Sequence, residues 1–203
     1  MASSYGEFIG VGKVYAAEVT TDNSTTYGTG TLKLIAPMGG VTIAPKVNTA
    51  TRYYDDSPYF TDDTEGATTL TFVLPHVPMD IAAELLGKDY NSTSKRLVDN
   101  GKASAPYMAV NFGVHAAEGA FVGFQYLKGK FSPWQEEAET IDDSGIKAKT
   151  VSLTYTAICT EYSKWLVDGV ADTAKLVRAD SRLDTTLTEA AWYTQVNVPG
   201  TTT

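Results

Sequence analysis

Apolar and polar residues alternate along much of this chain with a period of two, as a half-buried strand requires. The clearest case is Lys147 to Thr160 (KAKTVSLTYTAICT), where Val151, Leu153, Tyr155 and Ala157 fall on one side and Thr150, Ser152, Thr154 and Thr156 on the other. One face of that strand is therefore wet. Phe8 to Thr20 alternates in the same way, with Ile9, Val11, Lys13, Tyr15, Ala17 and Val19 opposite Gly10, Gly12, Val14 and Ala16, and ends in the polar run Thr21 to Thr26. Its mostly small second face suits close approach of another backbone or a flat contact surface. Thr31 to Ile35 and Val41 to Ala44 are short strands joined through Pro37-Met38-Gly39-Gly40. Tyr107 to His115 and Phe121 to Phe131, separated by Ala116-Ala117-Glu118-Gly119, read as an antiparallel hairpin. Arg96 to Val98 forms a brief strand before the Asp99-Asn100-Gly101 turn.

The stretch from Tyr53 to Gly87 changes character within a short span. An acidic loop leads into a strand over Ala67 to Leu74, carrying Leu70, Phe72 and Leu74 on one side. Pro75 stops it, and Pro78 stands at a first helical position, where a fixed φ and a missing N–H cost nothing. Ile81, Ala82, Leu85 and Leu86 form one apolar face, and Gly87 is placed to close the helix in the left-handed conformation. A helix over 78–86 is too short to hold in water alone, so its apolar face must rest on a sheet. Between Ala44 and Glu65 the pattern is irregular and rich in Thr, Asp and Tyr, giving a long loop or extended hairpin. From Glu161 onward only a short helix or turn at Glu189 to Tyr193 stands out, before a frayed end after Pro199.

Composition adds limits. A chain of 203 residues, 43% hydrophobic, with 12 Tyr and 17 Gly, points to one domain of mainly β class over 1–203. Twenty-four acids against sixteen bases give a net charge of −8, which disfavours gripping a phosphate backbone. No basic segment with an apolar core opens the chain and no later window approaches eighteen apolar residues, so neither secretion nor membrane insertion is expected. The single cysteine, Cys159, ends an alternating run and reads as a small buried hydrophobe. Asn23-Ser24-Thr25 and Asn91-Ser92-Thr93 match a glycosylation pattern, but without a secretory signal they reflect only an abundance of small polar residues.

The inventory for catalysis is thin. There is no HExxH, CxxC, GxxxxGK[ST] or GxSxG, and Gly10-Val11-Gly12 and Gly28-Thr29-Gly30 lack the third glycine of a dinucleotide loop. His76 and His115 have no ligand partner in sequence, so neither a metal nor another cofactor is expected. Two acidic clusters are the most unusual polar features: Asp55, Asp56, Asp62, Asp63 and Glu65, then Glu136, Glu137, Glu139, Asp142 and Asp143. Clusters of this kind are ordinarily solvated loops. A calcium loop fails when its required glycine is placed on Gly66 or Gly145, because Thr61 or Thr140 then opens the loop and Phe72 or Val151 closes it. Paired carboxylates for glycoside hydrolysis could come from two loops. Tyr53, Tyr54, Tyr59 and Trp134 flank the clusters, as sugar platforms or as anchors of a protein interface.

The order of landmarks carries more than any one motif. VGKVYAAEVT is followed by a turn at Tyr27, a long middle region reaching YYDDSPYF, a strand and helix ending in AAELLG, the strands APYMAVNFGV and FVGFQYLKGKF, and an acidic loop before KTVSLTYTA. Taken together, from about Phe8 to Tyr162, the chain resembles the major tail proteins of long-tailed, non-contractile bacteriophages. The resemblance implies a twisted β-sandwich or barrel with one short packed helix and a long extended loop. Subunits would form six-membered rings that stack into a tube, with two hairpins each lining the lumen and a loop reaching the next ring. It further implies a virion location after assembly in the bacterial cytoplasm, contacts with tape measure, distal tail and tail terminator proteins, and DNA passing through without specific binding. An acidic wall suits that passage, since like charge within a Debye length of about 8 Å discourages phosphate contact. The C-terminal immunoglobulin-like module of some members is not expected here.

On that resemblance, Glu136, Glu137, Glu139, Asp142 and Asp143 are candidates for the lumen. Tyr53, Tyr54, Asp55, Asp56, Tyr59, Asp62 and Asp63, within Pro45 to Glu65, are candidates for contact between rings. The lumen hairpin is either Phe121 to Phe131 with Lys147 to Thr160, or one across Val41 to Tyr54. A monomeric carbohydrate-binding β-sandwich is the leading alternative, and a hydrolase using the clustered carboxylates a more distant one.

Overall fold

Leu70, Phe72 and Leu74 point inward with no exposed surface, as their alternation requires, in the computed structural model, which describes residues 6–138, 149–167 and 170–196. The chain is mainly β. Its strands begin with β1 (Phe8–Asp22), β2 (Tyr27–Thr29), β3 (Lys33–Pro37), β4 (Gly40–Tyr54) and β5 (Ser57–Leu74). The helix α1 (Met79–Leu86) and the small ribbon of β6 (Asp89–Asn91) and β7 (Arg96–Val98) follow. Next come β8 (Met108–Ala116), β9 (Phe121–Phe131) and β10 (Val151–Ile158). The last part holds β11 (Trp165–Val167), β12 (Val170–Asp172), β13 (Leu176–Asp180) and the single turn α2 (Glu189–Trp192).

All pairings are antiparallel, in the order β2-β1-β8-β9-β10-β5-β4, with β3 added to β1 and β13 to β9. The sheet curls on itself at one corner. There Met38 N–H donates to Gly12 O at 3.1 Å and the next residue, Gly39, donates to Val73 O at 2.7 Å. The chain thus passes from β1, which β3 pairs, to β5, which β4 pairs.

Inside lie Val14, Ile35, Leu70, Phe72, Val110, Phe112, Phe124, Leu153 and Tyr155, among others. Phe112 stacks on Phe124 at 5.3 Å and meets Phe72 edge-on at 5.4 Å, geometries that aromatic quadrupoles favour. Tyr155 is fully buried and donates its hydroxyl to Met108 O at 2.7 Å; burial pushes its phenol well above the ordinary value. Gly129 is required beside it, because a Cβ there would stand 2.4 Å from the Tyr155 ring.

β9 is buried on both faces, which its sequence does not announce. Its inner face meets the core, while Leu127 on the other side belongs to a second cluster with Tyr162, Trp165 and Ala174. The Trp192 ring lies over Gly123, where a Cβ would be 2.3 Å from the indole. The segment after β10 therefore forms an outer layer across this part of the sheet.

The α1 expectation needs one correction. Pro78 is the N-cap, with ψ 145, and its carbonyl accepts from Ala82 N–H at 2.8 Å; the helix proper starts at Met79. Gly87 closes it at φ 64, as expected, and Ala82, Ala83, Leu85 and Leu86 are buried. Cys159 is exposed rather than buried, since β10 ends at Ile158 and the alternation ends with it. On β1, an irregular register between Val11 and Val14 breaks the expected single face. Val14 and Ala16 are core residues, whereas Gly12 lies against the Tyr193 hydroxyl, 2.9 Å from where its Cβ would be.

Candidate functional site

The irregular stretch from Pro45 to Glu65 is an ordered two-stranded arm. β4 and β5 stay paired from Val47↔Glu65 out to Tyr54↔Ser57, and every residue from Pro45 to Glu65 is exposed. At about 3.3 Å per residue the arm reaches roughly 30 Å beyond the sheet. Asp55 and Asp56 form its two-residue turn with φ 54 and 58, the pair of left-handed conformations of a type I′ hairpin. Aspartate tolerates that region better than most residues. At its base, Lys175 Nζ donates to the Glu65 carboxylate and to Gly66 O, tying the arm to the residue before β13.

The tip is aromatic and wet. Tyr53, Tyr54, Tyr59 and Phe60 are 66, 60, 80 and 53% exposed, and Tyr54 meets Tyr59 edge-on at 5.6 Å. The structure brings Tyr53, Tyr54 and Tyr59 to this tip with Asp55 and Asp56, and adds Phe60, which the sequence reading passed over although it stands in the same run. It does not bring the arm's carboxylates together. Asp62 lies opposite Ala50 and Asp63 opposite Thr49, and neighbouring residues of a strand point to opposite faces, so the two share no site.

The second acidic cluster is only partly within the described residues. Glu136 accepts from the Trp134 indole N–H at 3.3 Å, and Glu137 lies 3.5 Å from Lys149; both glutamates are exposed. Glu139, Asp142 and Asp143 lie outside the described residues. Trp134 lines a cavity of about 620 Å3 with His76, Val77 and Leu97. Its neighbours are thus α1 and β7 rather than the arm tyrosines.

Of the two hairpins that the resemblance offers for a lumen, the one formed by β9 and β10 has its β9 side covered. β9 pairs with β10 only from Lys128 to Phe131 and offers no wet face. Lys128 is an internal anchor: its ammonium lies 2.7 Å from Asp22 and 3.0 Å from Glu161. Burial works against that charge, but the hydrogen bonds it donates to Asp22 and Glu161, with their negative charge, outweigh it and raise the lysine pKa. Lys128 and Lys130 also flank the Tyr107 ring at 4.8 and 4.6 Å. The sheet face left wet is that of β4, β5 and β10, where Thr154 pairs with Thr71 and Thr71 with Thr42, while Thr156 pairs with Thr69.

Among the described residues, no group of three or more His, Cys, Asp or Glu is placed to hold a metal ion. His76 is exposed, and the other histidine, His115, has Glu189 at 3.9 Å as its acidic neighbour. Among the described residues, no helix is long and apolar enough to cross a membrane. The chain matches no protein-family model, and no curated protein matches it significantly.

Proposed function

We propose that this chain is a structural subunit that self-assembles into stacked, six-membered rings forming the tail tube of a long-tailed, non-contractile bacteriophage. It acts as a conduit and not as an enzyme. The observation that carries this reading is the arm. Two strands without a third, wet on both faces and tipped with four exposed aromatics, have little stability of their own in water. Their natural place is against another protein surface, where aromatics anchor interfaces. A projection on one part of a subunit that contacts a different part of the next gives a head-to-tail contact, the kind that builds rings and open stacks.

The same reading assigns the lumen. With β9 covered, the inner wall falls to the hydroxyl-rich face of β4, β5 and β10, with Glu136 and Glu137, between β9 and β10 in the chain, as the source of negative charge. The overall charge of −8 favours release of DNA from such a wall. Tape measure, distal tail and terminator proteins are the partners this role requires.

Negative-stain electron microscopy of the concentrated protein, with light scattering for mass, tests the reading. Rings or tubes with an open channel support it. A monomer that binds glycans saturably through Tyr53, Tyr54 and Tyr59 supports the carbohydrate-binding alternative instead.

A further inference from the structure

A cleft of about 400 Å3 opens between the start of β1 and the start of β4, lined by Phe8, Val11, Val41, Ile43, Val114 and Phe124. It exists because two strands are held together at one end only. β3 pairs with β1 at Lys13 to Ala16, Met38 bonds to Gly12, and Gly39 then turns to Val73. From that corner β4 follows β5, and residues 8–11 of β1 follow β8. Each keeps one edge without a strand partner among the described residues. Phe8, 56% exposed, stands at the opening. Unpaired strand edges beside an apolar slot are where a segment of another chain adds.

The matching surface is on the same sequence. The arm tip offers Tyr53, Tyr54, Tyr59 and Phe60, the densest group of exposed aromatics among the described residues. It cannot fill its own cleft, because Ile43 and Tyr54 lie on one extended strand, roughly 35 Å apart at about 3.3 Å per residue. Charge agrees as well. Asp55 and Asp56 form the tip, while the exposed Arg178 holds its guanidinium 4.9 Å from the ring of Phe124, a residue lining the cleft.

We infer that the cleft between β1 and β4 receives the aromatic tip of the β4–β5 arm from a second copy of this chain. The inference rests on the self-assembly reading and specifies where one subunit holds the next. The slot and the tip are different surfaces of the molecule, so the contact can run head-to-tail and repeat from copy to copy.

Two single-cysteine proteins test it, both carrying Cys159→Ser because Cys159 is exposed. One has Tyr59→Cys at the tip and the other Phe8→Cys at the cleft, with Gly10→Cys as a second cleft position; Tyr59 and Phe8 are more than half exposed and a Cβ at Gly10 comes no closer than 3.7 Å to its neighbours, so folding is spared. They are mixed at a concentration where assembly is followed by light scattering, then mildly oxidised. A disulfide needs its Cα atoms within about 7 Å. The expected result is a mixed tip-to-cleft disulfide several-fold more abundant than either homodimer. Assembly with no mixed disulfide at either cleft position overturns the docking site and leaves self-assembly standing. A dominant tip-to-tip product overturns it in favour of a symmetric contact. Absence of both assembly and cross-link overturns the docking site and the self-assembly reading together.

Discussion

The Lys128 ammonium lies 2.7 Å from the Asp22 carboxylate, and the two side chains are only 6 and 5% exposed. The same carboxylate accepts the backbone N–H groups of Glu161, at 2.9 Å, and Tyr162, at 3.0 Å. One acid at the end of β1 thus fixes a central strand and the start of the outer layer. Removing it leaves two amide donors without their acceptor and the buried ammonium with only the exposed Glu161 as its carboxylate partner. Asp22→Ala is expected to cost about 3–5 kcal/mol in urea unfolding. The double variant Asp22→Ala/Lys128→Met is expected to recover much of that loss, because the buried ammonium that lost its buried partner is gone as well.

Gly123 is the floor on which Trp192 rests. A Cβ at this position would be 2.3 Å from the indole, and the ring has an extended β-strand beneath it rather than a flexible side chain that could yield. Gly123→Ala is therefore expected to lift α2 off the sheet at a cost of roughly 1–3 kcal/mol. Asn111, fully buried, donates to Trp192 O at 2.7 Å and loses that bond in the same event. Hydrogen exchange at residues 186–196 checks this: faster exchange there, with β10 unchanged, is the predicted pattern.

Acid is expected to weaken the molecule at its C-terminal turn. Arg182 donates to Asp180 at 2.9 Å through Nε and at 2.6 Å through a terminal nitrogen. That hydrogen bond holds the Asp180 carboxyl below its ordinary value, against the opposing effect of burial. Asp99, bonded by Lys88 and by Gly101 N–H, and Asp184, bonded by Thr186, are lowered too. A carboxylate whose folded pKa lies below its unfolded value of about 3.9 adds stability above that value and loses it as pH falls through the folded pKa. Lys128, raised in the fold, does the reverse. Its contribution is complete below about pH 10.4 and is lost as pH rises through the folded value. Melting temperature against pH is thus expected to be flat from about pH 5 to 9 and to fall on both sides. Asp180→Asn should flatten part of the acid limb.

Much of the sheet was legible because burial writes itself as alternation. Val151 to Ala157 and Leu70 to Leu74 each have one face in the core and one wet, and their periods of two named them as strands. The α1 face was legible for the same reason, with Gly87 marking its end. The arm was legible only as one of two readings, a long loop or an extended hairpin, because a hairpin wet on both faces has no apolar side to alternate; Thr49, Thr51 and Thr61 look like loop residues until Asp55 and Asp56 are seen to turn the chain. β9 hid its role in the opposite way, being buried on both faces. The cleft between β1 and β4 was out of reach of sequence altogether. It depends on where two strands part, and that is decided by the corner at Met38 and Gly39.

The central claim is that the arm exists to join copies of this chain. The most direct test replaces residues 48–64 by an Asn-Gly turn, so that Val47 and Glu65 close a short hairpin, and compares this protein with the intact chain by light scattering and negative-stain microscopy. The account predicts that the intact chain reaches ring or tube mass, while the shortened one stays a folded monomer with the same near-ultraviolet spectrum from its buried aromatic core. Rings or tubes formed equally well without the arm would contradict it.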